Sequence, residues 1–136
     1  MKKYRFLLVA SNFYPEITLN LLKGAQKYLD NNGHNFDSTY TKGSLEIPTK
    51  ISIKLNKHKY DAVVAIGCII KGKTDHYEFI ANAITKTLLE LSIQHKIPIS
   101  NSILTCRNIK QAKERSSKKL NRAKEAVEAA IAVLQD

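Results

Sequence analysis

Tyr60-Asp61-Ala62-Val63-Val64-Ala65-Ile66-Gly67-Cys68-Ile69-Ile70 is almost continuously apolar, and the polar run Lys71-Gly72-Lys73-Thr74-Asp75-His76 follows it. A strand wetted on one face alternates apolar and polar residues. One without alternation is buried on both faces, as in the centre of a parallel sheet covered by helices. The flanking segments support that reading. Tyr4–Ala10 is apolar and β-prone and ends in the elbow Ser11-Asn12-Phe13-Tyr14-Pro15. Ile17–Asn31 reads as a helix with Leu22, Ala25 and Leu29 on one stripe, Pro15 near its start and Gly33 after its end. His34–Tyr40 suits a second strand, and Gly43-Ser44-Leu45-Glu46-Ile47-Pro48 leads tightly into a helix ending near Lys57. Beyond His76 a long helix carries Ile80, Ile84, Leu88 and Leu91 on one stripe, and Ile97–Thr105 gives a fourth strand. A short helix begins near Asn108, and the last one shows Ala123, Val127, Ala130 and Leu134 at helical spacing. Alternating strands and helices with right-handed crossovers predict one α/β domain over residues 1–136. Its expected form is flavodoxin-like and three-layered, a four-stranded parallel sheet in the order 2-1-3-4.

Composition agrees with an ordinary globular domain. The 136 residues are 43% hydrophobic and 25% charged, enough for a real core without metal or disulfide staples. No apolar run approaches the roughly 18 residues of a membrane-spanning helix. The apolar stretch after Lys2 and Lys3 is too short for a secretion signal, so it is read as a first strand of a cytoplasmic protein. Cys68 and Cys106 both lie in strand-like runs and are expected to be buried thiols in a reducing compartment. The net charge is +10, and eight basic residues fall between Arg107 and Lys124 with only Glu114 among them. That patch raises the alternative of a nucleic-acid-binding module. No Phe, Tyr or Trp follows Phe79 to serve as a stacking platform, so a solvated basic helix face is favoured, and neither nucleic acid nor membrane is expected as a partner.

Ligands of open α/β sheets collect at the carboxyl ends of the strands, where residues 11–15, 41–46, 71–76 and 105–108 fall. The 71–76 segment opens a helix after the most buried strand. Its amides, Lys73 and Thr74 suit an anion, although Thr74 or Asp75 could simply cap the helix. His76 lies in that first turn, and histidine is the side chain best suited to shuttling protons, whereas His34, His58 and His95 are read as surface groups. Phe13 could stack on a planar heterocycle or pack the loop. Glu46 could hold hydroxyls or offset a helix dipole. Arg115 could reach a phosphate bidentately or be a solvated helix arginine.

Together these segments resemble the lumazine synthase family of riboflavin biosynthesis. The resemblance rests on Ser11-Asn12-Phe13 before Ile17-Thr18, on Gly43-Ser44-Leu45-Glu46-Ile47-Pro48, and on Tyr60-Asp61-Ala62-Val63 through Gly67 to Phe79. It continues through Ile97-Pro98-Ile99, Leu104-Thr105, Asn108–Ala112 with Glu114-Arg115, and Asn121. It implies condensation of 5-amino-6-(D-ribitylamino)uracil with 3,4-dihydroxy-2-butanone 4-phosphate, without cofactor or metal. It further implies Phe13 stacking on the pyrimidine, with Ser44, Leu45 and Glu46 at the ring edge and ribityl chain. Cys68, Ile69 and Ile70 would contact the ring through backbone, and Asn101 would be a neighbour's contact. Lys73, Thr74 and a neighbouring subunit's Arg115 would bind the phosphate, and His76 would be the proton shuttle. The implied partners are the small-molecule substrates and further copies of the chain in a homopentamer, with a sixty-subunit shell and riboflavin synthase association as wider expectations. The chain departs from the usual pattern at Leu45 and Asn101, where aromatic residues are common. It also has Arg122 where lysine is typical, and a glycine-free Ser116–Leu120 loop about one residue shorter.

Overall fold

A computed structural model of the chain describes residues 2–72 and 76–135. Four parallel strands, β1 (Arg5–Ser11), β2 (Asn35–Thr41), β3 (Ala62–Ile70) and β4 (Ile99–Cys106), form one sheet in the order β2-β1-β3-β4. The expected order is therefore present. Register sets Phe6 opposite Phe36 and Ala62, and Cys68 opposite Leu104. The helices are α1 (Pro15–Asn31), α2 (Ile47–Lys57), α3 (His76–His95), α4 (Ile109–Arg115) and α5 (Arg122–Leu134). Asn108 caps α4 by accepting the Gln111 N–H, instead of being its first residue.

The two sheet faces build two cores. On one, Phe6, Leu8, Val64 and Ile66 pack with Leu21, Leu29 and Val127 under α1 and α5. On the other, Leu7, Val9, Val63 and Ala65 pack with Ile47, Ile51, Ile84 and Leu88 under α2 and α3. Ala62 through Ile66 have no exposed surface at all, which is the burial that their unbroken hydrophobicity requires. Among the described residues no helix is long and apolar enough to cross a membrane.

One sequence expectation fails. His34 is not a surface group: it is 6% exposed, stacks on Tyr4 at 5.4 Å, and its Nδ1 accepts the Tyr4 N–H at 3.0 Å. A histidine just after Gly33 reads as turn polarity, but the strand start turns it inward. Burial lowers its pKa from the ordinary imidazole value. His58 is exposed and His95 half-buried.

At the amino ends of the strands, Arg5 donates to Asp37 at 2.7 Å, and the Tyr60 hydroxyl donates to the same carboxylate oxygen at 2.7 Å. That bond from Tyr60, then the one from Arg5, holds the Asp37 carboxyl below its usual range, while burial first and Asp37 second push the Tyr60 phenol to about 12. This cluster ties β1, β2 and the entry to β3 together, far from the carboxyl ends.

Candidate active site

The first two strands end in a connected frame. The Asn12 N–H donates to the Thr41 carbonyl at 2.8 Å, and the Thr41 hydroxyl donates to the Gly43 carbonyl at 2.7 Å. Residues Ser44–Glu46 then form a single 3-10 turn, closed by the Gly43 N–H donating to Glu46 Oε1 at 2.9 Å. This turn presents the buried Ser44 hydroxyl 3.3 Å from that of Ser11, also buried. Both sit over Gly67 of β3, where a Cβ would lie 2.6 Å from Ser44 Oγ and 2.8 Å from Ser11 Oγ. Only glycine leaves room for the two hydroxyls. Phe13, two residues beyond Ser11, is 67% exposed and meets Tyr14 edge-on at 5.0 Å, and Leu45, next to Ser44, is 57% exposed. These segments thus supply an exposed aromatic ring, two buried hydroxyls and an acid, one of whose oxygens already serves the turn.

The end of β3 supplies Cys68, buried, and the half-buried Ile69 and Ile70. Burial first, and Cys106 second, push the Cys68 thiol to about 12, so Cys68 is no thiolate nucleophile at neutral pH. The Lys71 N–H donates to the Cys106 carbonyl at 2.8 Å, extending the ladder one residue past the strands. Lys73 and Thr74, expected to hold a phosphate, and Asp75 lie outside the described residues. His76 opens α3 and is exposed.

The remaining expected residues lie elsewhere. Arg115 Nη1 donates to the Thr105 carbonyl at 3.1 Å and reaches Cys106 Sγ at 3.7 Å. It is anchored to the end of β4 rather than freely solvated. It lines a cavity of about 540 Å3 with Tyr77, Glu78, Thr105 and Gln111. Asn101 is exposed on β4, with Nδ2 donating to Thr85 Oγ1 at 3.2 Å and Oδ1 accepting the Ile103 N–H at 2.9 Å. Asn101, Thr105, Arg115 and Arg122 share a hollow along that edge, where Arg122 pairs with Glu125 at 3.2 Å.

Helix periodicity shows how these groups divide. At about 100° per residue, His76 and Thr85 lie roughly 180° apart around α3. Thr85 is on the β4 flank with Glu78, Ala81 and Asn82, beside Asn101 and Arg115. His76 is on the opposite flank, and α3 also packs on α2 and the Ser44–Glu46 turn. The expected residues therefore divide around α3: the Ser44–Glu46 turn packs on it, Asn101 and Arg115 lie on the flank of Thr85 and Glu78, and His76 projects about 180° from Thr85. Ser11 and Gly67 were not among the expected site residues. Their signals were a hydroxyl closing an apolar strand and a glycine inside another. Among the described residues, no cluster of three His, Cys, Asp or Glu side chains could hold a metal ion.

Comparison with known proteins supplies the rest. The family model for 6,7-dimethyl-8-ribityllumazine synthase matches residues 3–136. The chain is similar to the 6,7-dimethyl-8-ribityllumazine synthase of Bartonella tribocorum, 38% identical over 98% of this chain and 89% of that protein. The proteins of the same name from Nitrobacter hamburgensis and from Buchnera aphidicola of Acyrthosiphon pisum are 36% and 40% identical. They align over 96% and 93% of this chain and 84% and 82% of theirs.

Proposed function

The chain belongs to the 6,7-dimethyl-8-ribityllumazine synthase family and makes that lumazine, and from this premise we propose that each active site is assembled from two copies of the chain. The observation that carries the proposal is the division of the expected residues between opposite flanks of α3. A surface on one side of a subunit that completes a surface on the other side of the next makes a head-to-tail contact, and such contacts form a ring when the rotation between subunits closes. Phe79, Leu89 and Ile93 leave α3 72%, 59% and 77% exposed, apolar surface of the kind that neighbours cover. The ring size, a pentamer, is taken from the family resemblance. The atypical Ser116–Leu120 loop leaves the sixty-subunit shell and riboflavin synthase association without support. Free, buried Cys68 and Cys106 fit a reducing, cytoplasmic setting.

In this reading Phe13 stacks on the aminouracil ring, with Leu45 beside it. Ser44, positioned by Ser11, and the unspent oxygen of Glu46 take polar groups of the ring edge and ribityl chain. The backbone of Cys68, Ile69 and Ile70 lines the ring. Lys73, Thr74 and the neighbouring copy's Arg115 hold the phosphate of the butanone, Arg115 through its fork of donors. The amine attacks the ketone carbonyl, one water leaves as the imine forms, phosphate leaves by elimination, and the ribitylamino nitrogen then closes the ring on the carbonyl so generated with loss of a second water. His76 takes and returns the protons of these steps. Much of the acceleration comes from holding two reactive molecules in register. The test is to mix both substrates with the protein and follow the lumazine chromophore. Turnover in wild type, with a raised KM for the phosphorylated substrate in Arg115→Ala and partial recovery in Arg115→Lys, supports these roles. An unchanged KM in Arg115→Ala removes the arginine from the site.

A further inference from the structure

On the sheet face opposite Ser44, the carboxyl-terminal half of α1, the α4–α5 connection and the start of α5 enclose a cavity of about 420 Å3. Its construction depends on one close approach. A Cβ on Gly24 would fall inside the Asn121 side chain, which donates to the Asn20 carbonyl at 2.8 Å and accepts the Ala123 and Lys124 N–H groups. Glycine thus lets the capped end of α5 sit directly on α1, and the cavity lies beside that junction. Four lysines line it, Lys23 and Lys27 from α1, Lys118 from the connection and Lys124 from α5, and no lining residue is acidic. Lys23 and Lys27 are four residues apart on one helix face, a like-charge spacing that costs stability. Among the described residues, no carboxylate pairs with any of the four. Tyr28 closes the side, with the Lys124 ammonium 5.8 Å above its ring. The nearby hydroxyls of Ser116 and Ser117 donate to the carbonyls of Ala112 and Glu114, so the ammonium groups are the principal recognition chemistry on offer.

We propose that this cavity binds a small polyphosphate, a ligand with at least two linked phosphate groups, as a site separate from the catalytic one. The four positive charges, from three segments, outnumber the roughly one to two negative charges of a single orthophosphate at neutral pH, and a cavity of this volume is in the range of small-ligand sites. The proposal does not depend on how the active site is assembled. The experiment is calorimetric titration of the intact protein with inorganic pyrophosphate at physiological salt, with orthophosphate in parallel. Three proteins are compared: wild type, Lys27→Gln/Lys124→Gln, and Arg115→Ala. The expected result is saturable pyrophosphate binding to wild type and Arg115→Ala, weakened at least about tenfold in the double lysine variant. Lumazine formation should be unchanged in that variant, which shows that it is folded. Binding lost in Arg115→Ala but kept in the lysine variant assigns the anion to the catalytic site and overturns the proposal. Orthophosphate binding as tightly as pyrophosphate overturns it too, as does an adventitious ion only, bound weakly and released by salt, or no binding at all.

Discussion

Single residues at the strand ends carry sharply different burdens. His76 is exposed at the start of α3, so His76→Ala should leave folding intact while lowering kcat by about 10²-fold, the scale of one acid–base group. Steady-state kinetics with an unchanged melting temperature check this, and an unaltered kcat discards the shuttle. Gly67 has the opposite character. Gly67→Ala places a methyl where the Ser11 and Ser44 hydroxyls meet, and the serines stand on separate segments that must move apart. The expected outcome is destabilisation of about 1–3 kcal/mol and a raised KM for the aminouracil. Chemical denaturation and kinetics measure the two effects. His34 links folding to pH. Its neutral Nδ1 accepts the Tyr4 N–H, and its folded pKa is lowered, so the unfolded chain takes up the proton more readily. That stability is fully present above the ordinary value of 6.5 and is lost as pH falls through the lowered folded value. His34→Gln keeps an acceptor and removes the titration, so melting temperatures between pH 7 and pH 5 should fall less steeply than in wild type. Equal slopes would refute the linkage.

At the scale of elements, two helices end in the same device with different residues. After α1, the Gly33 N–H donates to the Asp30 carbonyl and the His34 N–H to that of Leu29, with Gly33 at φ 76°. After α3, the Ile97 N–H donates to the Ser92 carbonyl around Lys96 at φ 55°. Left-handed backbone suits glycine and strains lysine. Gly33→Ala should therefore cost about 1 kcal/mol, while Lys96→Gly should stabilise by a few tenths to 1 kcal/mol, both read from denaturant midpoints. These elements were legible in the sequence because hydrophobic period and punctuation agree: the β3 run, the α1 stripe and the Pro15–Gly33 bracket all survive with shifts of one or two residues. His34 was misread because nothing local distinguishes a polar residue in a turn from one that receives a main-chain N–H thirty residues away. The pairing of Ser11 with Ser44 was also beyond the sequence, since it depends on parallel register and on the space left by Gly67.

For the whole molecule, the two flanks of α3 predict complementation. If the site is shared between two copies, His76→Ala damages one half of it and Arg115→Ala the other, so each variant alone should be poorly active. Rings mixed after dissociation and reassembly should regain part of the activity, because some interfaces combine two intact halves. Recovery to no more than the average of the two variants would place both residues in a site within one chain. Sedimentation of active wild type should show the ring, and full activity in a monomer would sink the shared site. Family membership, by contrast, was readable from motif order alone, because the segments converge at strand ends that any parallel sheet of this order brings together.

The side-chain bond of Asn101 has a consequence for how neighbours can approach. By accepting the Ile103 N–H, it occupies a donor on the free margin of the sheet that would otherwise invite β-augmentation by a foreign strand. At this position an approaching chain would meet a side chain instead of an open main-chain donor, which disfavours continuing the sheet from one molecule into another. Asn101→Phe would remove that acceptor and leave the Ile103 N–H open to strand addition.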